Sequence, residues 1–107
     1  MILVTTEHVP GQQETASLGL VRGSSIRARH VGKDIIATLR NLAGGEVHEY
    51  SKLLGESREQ AVDRMIEEAE ALGANAIIGV RFQTSMVMQG AAEMLCYGTA
   101  IKLEAIS

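Results

Sequence analysis

Apolar residues recur at two periods along this chain, and the change of period divides it into elements. Ala61, Met65, Ala69 and Leu72 are spaced four, four and three apart, which places them on one face of a helix over 57–72. Ser57 with Gln60 has the form of a capping box at its start. Gly73 stands where a left-handed C-terminal residue favours glycine. Ile78, Val80 and Phe82 then alternate, which is the period of a strand. Upstream, Ile2 to Thr6 predicts a short strand, and Pro10-Gly11 punctuates the chain. Ala16, Leu18, Leu20, Ile26 and Ala28 all fall on even positions, predicting a strand over 14–30 with those residues turned to the core. Gly19 and Gly23 then face the other way, where glycine marks a bulge or a close backbone approach. Ile35, Ile36, Leu39, Leu42 and Ala43 predict a helix over 33–43, ended by Gly44-Gly45. Val47, Tyr50, Leu53 and Leu54 begin another. Gly55 either bends that helix or ends it ahead of a restart at Ser57.

The last forty residues predict a hairpin, with strands over 76–88 and 93–105 flanking Gln89-Gly90-Ala91-Ala92. A two-residue Gly90-Ala91 turn of type II′ sets its register. Ile78 then faces Leu103, Val80 faces Ile101, Phe82 faces Thr99, Thr84 faces Tyr97 and Met86 faces Leu95. That side is almost wholly apolar, as a buried face should be. The other side carries small and mixed residues, among them Gly79, Met94, Cys96, Gly98 and Ala100. A right-handed crossover makes strands 14–30 and 76–88 parallel to each other, and the last strand slots between them. The expected architecture is a two-layer α+β domain, an antiparallel sheet covered on one face by helices. The opposite face, with Gly19, Gly23, Gly79, Gly98, Ala100 and Cys96, is expected to pack against another subunit.

Composition narrows the function more than it defines it. A chain of 107 residues is one domain, 1–107, and its 46% apolar content supports a folded core. Only Tyr50, Phe82 and Tyr97 are aromatic, so that core is aliphatic. The net charge is −3 and no basic face is visible, which argues against nucleic acid. No apolar run approaches the roughly 18 residues of a membrane span, and the N-terminal segment does not read as a signal peptide. The single cysteine excludes an intrachain disulfide and fits a reducing, cytoplasmic location.

Two residue groups are candidate metal ligands. Met94 and Cys96 are two apart in a strand, share a face, and suit a thiophilic ion. In the expected register Met86 and Met88 lie on the opposite face, so convergence of several Cys96 thiols in a ring is the better route to a soft site. The plainer reading of Cys96 is a small buried hydrophobe. Glu46, His48 and Glu49 form the second candidate, suited to a harder transition metal ion. Their plainer reading is an acidic helix start, favoured by the helix dipole, with an exposed His. His8 and His30 read as loop residues. No C-x-x-C or H-x₃-H pairing occurs. No nucleophile with a positioned base is evident, and Gly19 to Gly23 lacks the phosphate-loop pattern. The chain is not expected to be an enzyme.

The segments Leu18-Gly19-Leu20-Val21-Arg22-Gly23, Lys33-Asp34-Ile35-Ile36-Ala37 and Gly44-Gly45-Glu46 appear in order. They are followed by Tyr50-Ser51-Lys52-Leu53-Leu54, Arg64-Met65-Ile66-Glu67-Glu68-Ala69 and Leu72-Gly73-Ala74-Asn75-Ala76. Gly79-Val80-Arg81-Phe82 and Tyr97-Gly98-Thr99-Ala100 complete the set. Together they resemble the YbjQ-like family, a family of unknown function to which heavy-metal binding is ascribed. One departure is Gly55-Glu56-Ser57, where relatives often have a stronger helix former. The resemblance implies a dodecin-subunit-like fold assembled as a ring of five, and no established reaction or agreed site residues. Flavin binding, an analogy from that fold, is weakened by the missing Trp platform. Two functional classes follow. One is a homo-oligomeric, pentameric protein that binds a thiophilic or transition metal ion. The other is an oligomeric interaction scaffold or small-ligand binder with no metal and no catalysis.

Overall fold

The computed structural model describes residues 1–27, 45–88 and 91–106. The helix expected over 33–43, His30 and the Gln89-Gly90 part of the hairpin turn lie outside the described residues. The elements are β1 (Ile2–Leu3), β2 (Gln12–Arg27), α1 (Gly45–Ala71), β3 (Ala76–Met88) and β4 (Ala91–Ala105). The sheet order is β1-β3-β4-β2. As the crossover argument requires, β4 lies between β3 and β2 and is antiparallel to both. The sheet is nevertheless mixed, because β1 runs parallel to β3. The free edge of β3 captures the N-terminal segment, with Ile2 N donating to Asn75 O and Val4 N to Ile77 O.

α1 is one helix of 27 residues, continuous through Gly55. A helical glycine costs about 1 kcal/mol relative to Ala, less than the burial of the residues beyond it contributes. Ser57 therefore caps nothing. It is buried inside the helix, where its hydroxyl donates to Ser25 Oγ at 3.2 Å, while Ser25 Oγ donates to Gln60 Oε1 at 2.8 Å. Ala61, Met65 and Ala69 are fully buried, as their spacing predicts, but Leu72 is 47% exposed because the chain reverses there. Gly73, at φ 84°, ends the helix. Its N–H donates to Glu70 O, and Ala74 N to Ala69 O, the paired bonds of a Schellman motif.

The covered face of β2 is the reverse of the one its apolar parity predicts. Val21, Gly23 and Ser25 are buried, whereas Leu20 is 64% and Ile26 60% exposed. Glycine decides this. A Cβ on Gly23 would run into Ala61 O and Met65 N, so α1 rests directly on the β2 backbone. Register shifts between Glu14 and Ala16 and between Ser17 and Gly19 interrupt the parity further upstream, with Gly19 at φ 102°.

The hairpin register also differs. Ala76, Ile77 and Ile78 pair with Ile101, Ala100 and Thr99, and Arg81, Phe82, Gln83 and Thr84 pair with Tyr97, Cys96, Leu95 and Met94. Val80 does not oppose Ile101, nor Met86 Leu95; Met86 pairs with Ala92. A bulge between Ile78 and Arg81, at Gly79 with φ 61°, shifts parity within β3, so Ile77 and Val80 enter the same core. Cys96, Gly98, Ala100 and Gly23 consequently lie on the helix-covered face, not on an open one. A Cβ on Gly98 would stand 2.7 Å from Ile77 Cγ2 and 2.9 Å from Ile78 O.

Two apolar clusters result, one on each side of the sheet. The larger, under α1, joins Val21, Ala61, Met65, Ala69, Ile77, Val80, Met94, Cys96 and Ala100. The smaller, with Ala76, Ile101 and Leu103, is covered by Val9. Asn75 secures it with two side-chain bonds, accepting from Leu103 N at 2.7 Å and donating to Leu103 O at 2.9 Å.

Candidate functional site

The soft-ligand candidate is assembled by β4 and α1. Glycine at position 23, opposite Cys96, lets the helix descend until Met65 reaches the strand. Cys96 Sγ donates to Met65 Sδ at 3.5 Å, and neither residue has any exposed surface. Met94 lies two residues before Cys96 on the same face, in the same cluster and nearly buried. Its Sδ accepts from Thr84 Oγ1 at 3.4 Å. Burial pushes the Cys96 thiol above its ordinary pKa of 9.0, so it is protonated at neutral pH.

Three sulfurs thus belong to one cluster, and the separation of two of them suits a shared ion. Two sulfurs each about 2.3 Å from a tetrahedral metal stand roughly 3.8 Å apart, close to the Cys96–Met65 spacing. A metal must displace the thiol proton to bind. Met65 was legible in the sequence only as a core residue, because its helical spacing says nothing of the sulfur opposite. The register also places Met86 in the row of Met94 and Cys96, against expectation.

Glu46, His48 and Glu49 stand at the start of α1, and their side chains lie outside the described residues. His8 is exposed, as expected of a loop residue. Among the described residues no three of His, Cys, Asp and Glu gather as a metal site. No described helix is long and apolar enough to cross a membrane.

Comparison with known proteins finds relatives over nearly the whole chain. The chain is 56% identical over 103 residues to a UPF0145 protein of Methanosarcina acetivorans, covering 96% of this chain and 97% of that one. It is 59% identical over 104 residues to a UPF0145 protein of Clostridioides difficile, covering 97% and 93%. A crystal structure of a protein of unknown function from Pediococcus pentosaceus shares the fold. Its TM-score is 0.66 at 18% identity, over 97% of this chain and 98% of that chain. Residues 1–104 match the YbjQ_1 family model, whose description is "Putative heavy-metal-binding". With more than half of its residues identical to those relatives over nearly its full length, this chain belongs to the YbjQ_1 family.

Proposed function

We propose that this protein is a homo-oligomeric binder of a soft, thiophilic metal ion, held by Cys96 with Met65 and Met94. The observation that carries the reading is the 3.5 Å contact between Cys96 Sγ and Met65 Sδ inside the α1–β4 core. Thiolate and thioether donors select soft ions, with Cu(I) the natural first-row choice. Charge favours the same class. One thiolate balances one monovalent cation, whereas a divalent ion would leave net charge in an apolar core, which is costly. The family description supports heavy-metal binding in general terms.

The test is Ag(I) or Cu(I) titration of untagged protein, followed through the ultraviolet thiolate-to-metal absorption. A stoichiometric band that vanishes in Cys96→Ala supports the site. Equal metal uptake by wild type and Cys96→Ala removes it.

The alternative reading is an oligomeric scaffold without a metal. It is favoured by Leu20 and Ile26, both mostly exposed on the face of β2 turned away from α1, and by the position of β2 at the sheet edge. The ring of five implied by the family resemblance, in the cytoplasm, is the assembly we propose under either reading.

A further inference from the structure

The polar ties that seat α1 on the sheet go to one strand. Arg64 Nη1 donates to Ser24 O, Ser57 Oγ donates to Ser25 Oγ, and Ser25 Oγ donates to Gln60 Oε1. All three join α1 to β2, where the helix backbone at Ala61 and Met65 rests on Gly23. Among the described residues, the one hydrogen bond joining α1 to β4 runs from Cys96 Sγ to Met65 Sδ, and a thiol is a weak donor. The helix packs on β2 and β4. On the far side of β4 its cover ends. Phe82, opposite Cys96 and on the same face, is 49% exposed, and Thr84, opposite Met94, is exposed as well. The helix is therefore fastened along β2 and held over the sulfurs by packing and one weak bond.

That asymmetry decides how an ion reaches the sulfurs. Cys96 and Met65 have no exposed surface, so neither a hydrated ion nor water that could take the thiol proton touches them while α1 is seated. The two donors belong to different layers, so they act together only when the helix is in place. We propose, on the metal reading above, that α1 is a cover hinged along β2. It lifts from β4 on the side marked by Phe82. Cys96 then takes the ion as its thiol gives a proton to solvent, and reseating brings Met65 Sδ onto the bound ion. The ion joins helix to strand, and its release requires the same lifting. Metal exchange thus follows the local opening of the α1–β4 contact.

The experiment compares two rates in untagged protein at neutral pH. One is labelling of Cys96, the single cysteine, by excess N-ethylmaleimide without metal. The other is Ag(I) loading, followed by the ultraviolet thiolate-to-metal absorption. Gln60→Ala and Arg64→Ala loosen the β2 seat without touching a sulfur. Each should speed labelling and loading by the same factor, about fivefold or more for one lost hydrogen bond. Transfer of bound Ag(I) to excess dithiothreitol should quicken equally. Sub-denaturing urea should scarcely alter any of these rates, since a local opening exposes little surface. Variants that speed labelling and leave loading unchanged would overturn the hinged cover while keeping the metal site. So would labelling unaltered in both variants, or rates that climb with urea as steeply as global unfolding. Absence of any Ag(I) band in the wild type would overturn the metal reading itself, and the cover's role with it.

Discussion

Cys96 and Met65 meet sulfur to sulfur at 3.5 Å, joining the last strand to the middle of the helix across 31 residues of sequence. The contact serves packing and, on the reading proposed above, chemistry. Substitutions at Met65 separate the two roles. Met65→Ala should cost about 2–5 kcal/mol, as large-to-small changes in a closed core do. Met65→Leu conserves volume and should cost under about 1.5 kcal/mol. If Met65 is a ligand, the leucine variant keeps its urea midpoint within that margin and still binds Ag(I) or Cu(I) markedly more weakly. Unchanged metal affinity in Met65→Leu would leave Met65 as packing alone.

Glycine makes this contact possible, and the two buried glycines should not be equally sensitive. A methyl group on Gly23 would run into the backbone of α1 at Ala61 and Met65. Backbone cannot move without shifting the whole helix, so Gly23→Ala should cost about 3 kcal/mol or more, beyond the usual overpacking range. A methyl group on Gly98 meets the Ile77 side chain first, which can rotate, although Ile78 O is also near. Gly98→Ala should therefore cost less, about 1–3 kcal/mol. Denaturant titration of both variants checks the order, and a smaller loss in Gly23→Ala would contradict the helix placement.

These glycines also explain how much of the fold the sequence disclosed. The helix face over 57–72, its glycine stop and the extent of the first hairpin strand were legible, because each rests on local periodicity or on a local backbone requirement; the second strand begins at Ala91, inside the expected turn. The central place of β4 followed from the handedness of the crossover. The faces were not legible. Parity is a counting argument, and the bulge at Gly79 and the shifts at Thr15 and Leu18 each break the count. On β2, apolar side chains suggested a covered face, yet the helix settled where side chains are smallest. The sulfur site was half visible for the same reason. Met94 and Cys96 are adjacent on one strand, but Met65 joins them only through tertiary contact.

The buried thiol makes stability depend on alkaline pH. Burial raises the Cys96 pKa above 9.0, the ordinary value that applies to the unfolded chain. Well below pH 9.0 the thiol is protonated in both states and contributes no pH dependence. Above it the unfolded thiol ionises first, the unfolded state binds fewer protons, and stability falls as pH rises toward the folded-state pKa. Cys96→Ala should abolish that part of the alkaline slope in a urea titration series. The same protection should make wild-type Cys96 slow to react with a thiol reagent until denaturant is added, because the thiolate is the reactive form. Rapid labelling of the native protein at neutral pH would show that the α1–β4 core opens readily.

The assembly can be tested on the face where the structure leaves apolar side chains in solvent. Gly98→Arg is unsuitable, since Gly98 is enclosed by Ile77 and Ile78 and the variant would disturb the monomer itself. Leu20 and Ile26 are better probes. They project from the sheet edge strand away from α1, with most of their surface exposed. An isolated monomer has no compensation for that exposure, whereas a neighbouring subunit would bury it, and an unpaired edge favours pairing across chains. Wild-type protein should therefore show by light scattering a mass well above that of the 11.5 kDa chain, with five copies expected of the proposed ring. The double variant Leu20→Arg, Ile26→Arg should lower the mass while preserving the far-ultraviolet dichroism of the folded chain. A wild-type monomer at micromolar concentration would refute the assembly. A double variant that folds and keeps the full mass would show that the subunits meet through a surface other than this face of β2.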